Sequence, residues 1–435
     1  MNQKLALISE HASPLAVVGG VDAGGQNIAV AELAQQLARL GYEIDIFTRW
    51  ENEQLPQLVD WKSGIRVVHI QAGPVSILPK EELLPHMAEF MANFVQFARS
   101  EEKPYGLIHA HFFMSALVAA DAKKILNIPF AITFHALGKV RRISQGDSDK
   151  FPAERFAIEE RVIREADQLV ALCPQDRDDL INLYDADPGK ITIIPNGFNP
   201  DEFYAVGKSL ARTLLKMDPD EFTILQLGRM VPRKGIDTVV QAVACLKKKY
   251  GRKTRLLIVG GESDAPNPAV TPEIGRLQHL VELEDVADCV TFVGRRDRNL
   301  LRYYYSAADV FVTTPWYEPF GITPLEAMAC GTPVIGSRVG GIQYTVIDGQ
   351  TGLLVPHKAP DALAEKLHLL IQQPQLRKDL RTRALRRVHQ DFTWLQVAQK
   401  TALMYQQLGV ARPVSLGVAK TLRDAIPTAQ LSRSA

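Results

Sequence analysis

Short, mostly apolar runs that end in loops and give way to amphipathic segments recur along this chain, and they recur in two blocks. In the first block Leu5 to Ile8, Glu43 to Thr48, Ile65 to Ile70, Gly106 to Ala110, Pro129 to Phe134, Gln168 to Leu172 and Lys190 to Ile194 read as strands. Between them Ile28 to Leu40, Glu81 to Phe97, Ser115 to Leu126 and Glu154 to Ala166 carry helical patterns. Strands without polar alternation are buried on both faces, and their alternation with helices builds a parallel sheet covered by helices. The segment Pro195-Asn-Gly-Phe-Asn-Pro-Asp201 is dense in turn formers. Beyond it the pattern restarts, with strands expected at Phe222 to Leu227, Leu256 to Val259, Val290 to Val293, Val310 to Val312 and Pro333 to Ile335. The expected fold is α/β: two Rossmann-like, doubly wound domains linked near residues 195 to 220, their strand carboxyl ends facing each other across a cleft.

A chain of 435 residues exceeds what one core supports, which fits domains at 1–205 and 206–391. Amphipathic helices are expected at Asp361 to Ile371 and Leu376 to His389, and a further one up to Leu408. Residues 409–435 lack pattern and read as a flexible tail. A net charge of +1 argues against nucleic acid as a partner, since such binders carry a basic excess. The cysteines Cys173, Cys245, Cys289 and Cys330 sit in separate apolar segments, as reduced core residues of a cytoplasmic protein do. The N-terminal Leu5 to Ile8 run is too short for a secretory signal, and no apolar run reaches membrane-spanning length. The basic run Arg377 to Arg387 offers a peripheral membrane contact, but without aromatic anchors it reads better as a solvated helix face.

In doubly wound sheets ligands sit outside the strand carboxyl ends. Gly19 to Asn27 is a glycine-rich loop between a strand and a helix, a place where bare amides meet an anion; Gly25 is the residue singled out, with Gln26 and Asn27 beside it. The loop lacks the spaced third glycine of a dinucleotide fingerprint, and the next strand has no terminal acid to hold a ribose. Lys80, His109 or His111, and His135 fall on the same edge, and Lys139, Arg141 and Arg142 follow His135 closely. Each also has a bland reading, Lys80 as a solvated helix-start lysine and His111 as a packed neighbour of Phe112 and Phe113. In the second block Gly228-Arg-Met-Val-Pro-Arg-Lys-Gly235 brings guanidinium, ammonium and a helix start together, a set suited to a diphosphate. Glu318-Pro-Phe-Gly-Ile-Thr-Pro-Leu-Glu326 puts an acid on each side of a turn of unpaired amides, which suits a ligand with both hydroxyls and phosphates. Glu326 alone would read as an acid favouring a helix dipole.

Glu318 and Glu326 with seven residues between them, followed by Ala-Met-Ala-Cys-Gly-Thr-Pro-Val-Ile, resemble the donor-site signature of the retaining glycosyltransferase family 4, of the GT-B fold. The Gly24-Gly25-Gln26 loop, Pro79-Lys80-Glu81, His109-Ala-His111 and His135 to Lys139 resemble its bacterial subgroup containing sucrose-phosphate synthase, mannosylfructose-phosphate synthase and the mycothiol-pathway enzyme. The resemblance implies an acceptor-binding first domain, joined by a last helix of about 392–408, and a second domain that binds a nucleotide sugar. It places Arg229 and Lys234 on the donor's phosphates, Gly294-Arg295 along the base, Glu326 on the ribose and Glu318 by the sugar. Gly25, Phe320, Gly321, Ile322 and Thr323 complete the implied donor set, and Gln26, Asn27, Lys80, His111, Lys139 and Arg155 the acceptor set. UDP-glucose is the expected donor and a sugar phosphate a candidate acceptor, but Phe112 and Ala136 stand where mycothiol-type enzymes carry Tyr and Thr. His135, Glu318, Arg229 and Lys234 are the expected catalytic residues. Asp147-Ser-Asp149, Asp176-Arg-Asp178, Asp185-Ala-Asp187 and Asp218-Pro-Asp220 all fit a metal-binding spacing, yet none ends a core strand, so no metal or other cofactor is expected. A nucleotide-sugar 2-epimerase and a non-catalytic nucleotide-sugar-binding protein remain alternatives on the same fold.

Overall fold

The computed structural model describes residues 4–16, 24–411 and 413. Gly19 to Ala23 of the glycine-rich loop and nearly all of the expected tail lie outside the described residues. The first domain carries strands β1 (Lys4–Ile8), β2 (Glu43–Arg49), β3 (Leu58–Lys62), β4 (Ile65–Ile70), β5 (Leu107–His111), β6 (Phe130–Thr133), β7 (Gln168–Ala171) and β8 (Ile191–Ile193). Its helices are α1 (Gly25–Arg39), α2 (Met87–Ser100), α3 (Phe113–Leu126), α4 (Gly138–Gln145), α5 (Glu154–Glu165) and α6 (Pro174–Tyr184). The second domain adds β9 (Thr223–Leu227), β10 (Arg255–Val259), β11 (Val290–Gly294), β12 (Val310–Thr313), β13 (Val334–Ser337) and β14 (Leu353–Val355). Its helices are α7 (Lys208–Leu214), α8 (Ile236–Tyr250), α9 (Pro272–Leu283), α10 (Arg298–Ala307), α11 (Ile322–Ala329), α12 (Ile342–Thr345), α13 (Pro360–Gln372) and α14 (Pro374–Asp391), and α15 (Trp394–Gln407) follows.

The sheets run β3-β4-β2-β1-β5-β6-β7-β8 and β11-β10-β9-β12-β13-β14. All pairings are parallel except that of the edge strand β3 with β4. Strand order reverses on either side of β1 in the first sheet and of β9 in the second, the switch points at which such sheets open a crevice. Every residue of β1, β5, β9 and β12 is buried, which is why these runs show no polar alternation. The unexpected β3 alternates only between exposed and half-buried residues, so it had no apolar face to announce it. Helix α2 was expected from Glu81 but begins at Met87, after two short 3-10 turns. Pro85 cannot donate the backbone bond that a helix interior needs, so an uninterrupted helix through it is disfavoured.

The link between domains was expected at 195–220. Within it α7 is fastened to the second domain by the buried Arg212, whose Nε donates to Ala307 O at 3.0 Å and whose NH2 meets Asp309 Oδ2 at 2.8 Å. At the crossing point the chain passes twice: Phe198 N donates to Phe392 O at 2.9 Å, and Trp394 N donates to Phe198 O at 3.2 Å. From there α15 packs on α1, with Trp394, Val397, Ala398, Met404 and Tyr405 buried, and Tyr405 OH lies 2.7 Å from His109 Nδ1. The four cysteines are free, three of them buried. On α14, Leu380, Ala384 and Val388 are buried, while Arg387 donates to the Tyr344 and Thr345 carbonyls. No helix among the described residues is long and apolar enough to cross a membrane.

Two outcomes follow from this packing. A Cβ at Gly197 would lie 2.8 Å from Phe392 O and 2.9 Å from Trp394 N. Gly197→Ala is therefore expected to destabilise the crossing by about 1–3 kcal/mol, seen as a lower thermal midpoint and faster limited proteolysis at the link. An unchanged melt would contradict it. Burial also holds His109 down to about 3. The native state then refuses a proton that the unfolded chain accepts near pH 6.5, so this contribution is present above that pH and lost as pH falls, at about 1.4 kcal/mol per unit. In urea titrations from pH 7.5 to 5, His109→Gln should lose stability less steeply than the wild type by about that slope.

Candidate active site

A cleft of about 380 Å³ opens between the two sheets, outside the carboxyl ends of β1, β9 and β12. Its walls are loops rather than strands, because the strands are consumed by the cores and only their ends remain to meet a ligand. On the first domain these are His11 after β1, Gly24 to Gln26 at the start of α1, Lys80, Phe112 after β5, and His135 and Ala136 after β6. On the second they are Gly228 to Lys234 in part, Arg295 and Arg296 after β11, and Tyr317 to Thr323 with Glu326.

The starts of α1 and α11 come close to each other. A Cβ on Gly25 would sit 3.9 Å from Ile322 Cδ1, and one on Gly24 would sit 3.8 Å from Arg229 Cδ and Nε. Arg229 thus reaches over to the first domain. Behind it, Lys234 Nζ is ion-paired with Glu318, and Arg233 NH1 lies 4.0 Å from Glu318 Oε2. Burial pushes the Lys234 ammonium down; Glu318 opposes this, while Arg233 and Arg229 add to it. Burial pushes Glu318 up, but Lys234, Arg233 and Arg229 together hold it below the usual carboxylate range. Glu318, half-buried at the cleft, is thus met by Lys234 and Arg233, with Arg229 acting on it, between two helix starts that add further positive potential. Such a set suits a bound diphosphate.

Glu326 is buried on α11, with Oε1 accepting from Arg298 NH1 at 2.9 Å and Oε2 from Tyr305 OH at 3.0 Å. Both oxygens are held in place, and each keeps lone-pair capacity for a hydroxyl donor in the cleft.

On the opposite wall His135 sits at φ +59°, a left-handed conformation unusual for a side chain, which turns it toward the cleft. Its Nε2 lies 3.0 Å from His111 Nδ1, and the His111 ring is 4.3 Å from that of His109. Burial brings His135 down to about 3, with His109 and His11 adding to the effect, and holds His111 well below its ordinary value, helped by His109 and His135. All three are neutral at physiological pH, so His135 can offer a hydrogen bond but no charge.

Of the expected residues, Gly25, Gln26, Lys80, His135, Arg229, Lys234, Arg295, Glu318, Phe320, Gly321, Ile322, Thr323 and Glu326 line this cleft. Five expected residues do not. Asn27 is buried and caps α1, its Oδ1 accepting from Gly24 N at 2.9 Å and its Nδ2 donating to Ser13 O at 3.0 Å. His111 lies behind His135 as its support. Lys139 turns away to Glu160 and the Leu183 carbonyl, both at 2.7 Å. Arg155 is fully buried, paired with Glu159 at 2.8 Å, bonded to Ala136 O at 2.5 Å and enclosed by Phe112, Phe113 and Phe151. Gly294 is glycine for a structural reason: at φ +85° a Cβ would come 2.2 Å from Asp264 O. The sequence reading missed His11, whose Nδ1 lies 2.6 Å from the buried Glu10 Oε1, although its place just after β1 was a usable signal. It also missed Gln145 of α4 and Arg298 of α10, which line the cleft from helices instead of strand ends, as does Arg141, expected only as a neighbour of His135. Asp176, Asp178, Asp185, Asp187, Asp218 and Asp220 of the Asp-x-Asp pairs all lie off the cleft.

A profile described as Glycosyltransferase Family 4 matches residues 23–202, and one described as Glycosyl transferases group 1 matches residues 211–387. The chain is 37% identical over 420 residues to the D-inositol 3-phosphate glycosyltransferase of Kineococcus radiotolerans, covering 93% of this chain and 95% of that one. The structure superposes on sucrose-phosphate synthase from Thermosynechococcus elongatus with a TM-score of 0.86 and 36% identity, over 94% of this chain and 99% of that chain. Anabaena HepE, solved in complex with UDP, shares the fold at a TM-score of 0.73 and 20% identity, over 94% of this chain and all (100%) of its own. With both halves matched in order and the two sheets facing each other over one cleft, this protein belongs to glycosyltransferase family 4 and is a glycosyltransferase of the GT-B fold.

Proposed function

We propose that the protein transfers a hexosyl group from a nucleoside-diphosphate sugar, UDP-glucose by preference, to a hydroxyl of a phosphorylated sugar in the cytoplasm, with retention and without a metal. The observation that carries this reading is the pairing of Lys234 and Arg233 with Glu318, with Arg229 beside them, set between two helix starts on the cleft that the carboxylate of Glu326 also lines. Breaking the bond between the anomeric carbon and the diphosphate leaves negative charge on the departing oxygen, so preorganised cations and amides there lower the barrier. Arg229, Lys234 and the starts of α1 and α11 occupy the role a divalent ion plays in other transferases.

The acceptor hydroxyl attacks from the face the diphosphate leaves, which retains configuration. Its oxygen forms the new bond to the anomeric carbon, and its proton passes to the departing phosphate oxygen. Neutral His135 orients the sugar by hydrogen bonding. Lys80, 4.0 Å from Glu81, and Arg141, whose Nε is paired with Asp149 at 2.8 Å, line the acceptor wall, and the remaining guanidinium nitrogens of Arg141 suit an anionic acceptor. Phe112 and Ala136, both on that wall, offer no hydroxyl where mycothiol-type enzymes carry Tyr and Thr, which favours a hexose phosphate over an inositol phosphate.

The test is release of nucleoside diphosphate across a matrix of donors and acceptors. Acceptor-dependent release of UDP supports the transferase, whereas a 2-epimerase or a binding protein would show none. Arg229→Ala and Lys234→Ala should each lower turnover by about two to three powers of ten, the effect of losing one preorganised donor. His135→Ala should lower kcat far more than it raises KM for the donor; a loss confined to KM would contradict its orienting role.

A further inference from the structure

Arg298 opens α10 at the edge of the cleft and divides one guanidinium between two carboxylates. Its NH1 lies 2.9 Å from Glu326 Oε1, and its Nε lies 2.7 Å from Glu202 Oε2. The guanidinium carbon sits 4.7 Å from the centre of the Phe203 ring, which fixes the plane from which both contacts are made. Glu202 and Phe203 belong to the link between the domains. Three residues earlier, Asn199 Nδ2 donates to the carboxylate of Glu32, at 3.2 and 3.4 Å. Glu32 is buried on α1, the helix whose first residues form the opposite wall of the cleft.

A polar line therefore runs from α1 through the link to α10 and ends on the carboxylate of α11. Glu202 and Glu326 meet the Arg298 guanidinium directly, while Glu32 is held by Asn199 and acts on Arg298 at a distance, with Arg39 also acting on it. Burial and then Glu202 push the Glu32 carboxyl up, while Arg298 acts in the other direction. Burial works against the charge of Arg298, but Glu326 and Glu202 more than restore it. One guanidinium bonded to both Glu202 and Glu326 senses any change in their spacing, because charge-assisted hydrogen bonds weaken steeply with distance and angle.

We propose that Arg298 is a positioning residue that couples the donor site to the link between the domains: it aims Glu326 at the nucleotide's ribose and, through Glu202, makes that aim depend on how the two domains are set. The inference rests on the proposed role of Glu326 as the ribose ligand. When the ribose engages Glu326, the pull on Arg298 is felt at Glu202 and, by way of Asn199, at α1. Nucleotide binding and closure of the cleft then become one equilibrium, and each strengthens the other by the same factor.

The test uses the full chain and titrates UDP, GDP and ADP by calorimetry, with small-angle X-ray scattering at zero and saturating nucleotide. The variants are Glu202→Gln, Arg298→Lys and the double variant, with thermal melts to show that each is folded. Glu202 does not line the cleft, yet Glu202→Gln is expected to weaken binding of the preferred nucleotide by about 5- to 10-fold and to reduce the nucleotide-induced compaction. Arg298→Lys keeps the charge but loses the two-armed geometry, and should weaken binding by about 10- to 100-fold. The double variant should bind no worse than Arg298→Lys alone. Losses that simply add in the double variant, or unaltered compaction in Glu202→Gln, would overturn the coupling while leaving the donor-site reading intact. Absence of binding by all three nucleotides to the wild type, or binding without compaction, overturns it as well; the former also removes the donor-site reading.

Discussion

Positive charge gathered around one carboxylate at the mouth of the cleft, between two helix starts, is the condition around which this molecule is organised. Lys234 and Arg233 both meet the carboxylate of Glu318, and Arg229 adds to the positive field around it, a set that an anion in the cleft would complement. The parallel sheets make that arrangement possible. They place their loops and the amide ends of α1 and α11 on one side each, and the crossing at Phe198 and Thr393 turns those two sides together. Without the facing sheets the cations would be ordinary solvated side chains on a loop.

The first domain meets this charge with groups that carry none. The buried His109 and His111 and the cleft-facing His135 form a neutral stack that begins at Tyr405 on the returning helix. Electrostatics are concentrated on one wall and shape and hydrogen bonding on the other, a division that suits breaking a bond to phosphate while placing a sugar. The neutrality has a physical cause, since three imidazoles stacked together, two of them buried, cannot all gain protons without leaving charge beside charge.

Much of this was legible in the residue order. Strands buried on both faces declare themselves as unbroken apolar runs, and the loops that follow them could be read as the places for a ligand. Arg229, Lys234, Glu318 and Glu326 were found in that way. Spacing fixes the position of a Cα in the fold, however, and leaves the direction of the side chain open. Arg155 and Lys139 looked like acceptor ligands, but Arg155 is sealed beneath three aromatic rings and Lys139 leaves toward Glu160. Asn27 followed the glycines as a ligand should, yet its side chain is spent on the unsatisfied amide of Gly24. Arg298 was hidden for the opposite reason: it opens a helix just past the Gly294-Arg295 segment, and its importance comes from Glu202 and Glu326, which only the folded chain brings to it.

The position of α15 bears on how the molecule is made. The helix that covers α1 and buries Tyr405 against His109 is encoded after the whole second domain. As the nascent chain leaves the ribosome, the first sheet emerges long before the helix that completes its outer face. The first half must wait, with Tyr42 and the apolar side of α1 exposed, until more than half of the protein has been translated. A gene fragment ending at the linker would inherit that same open surface, and co-expression of residues 392–408 as a separate peptide is what its chemistry calls for.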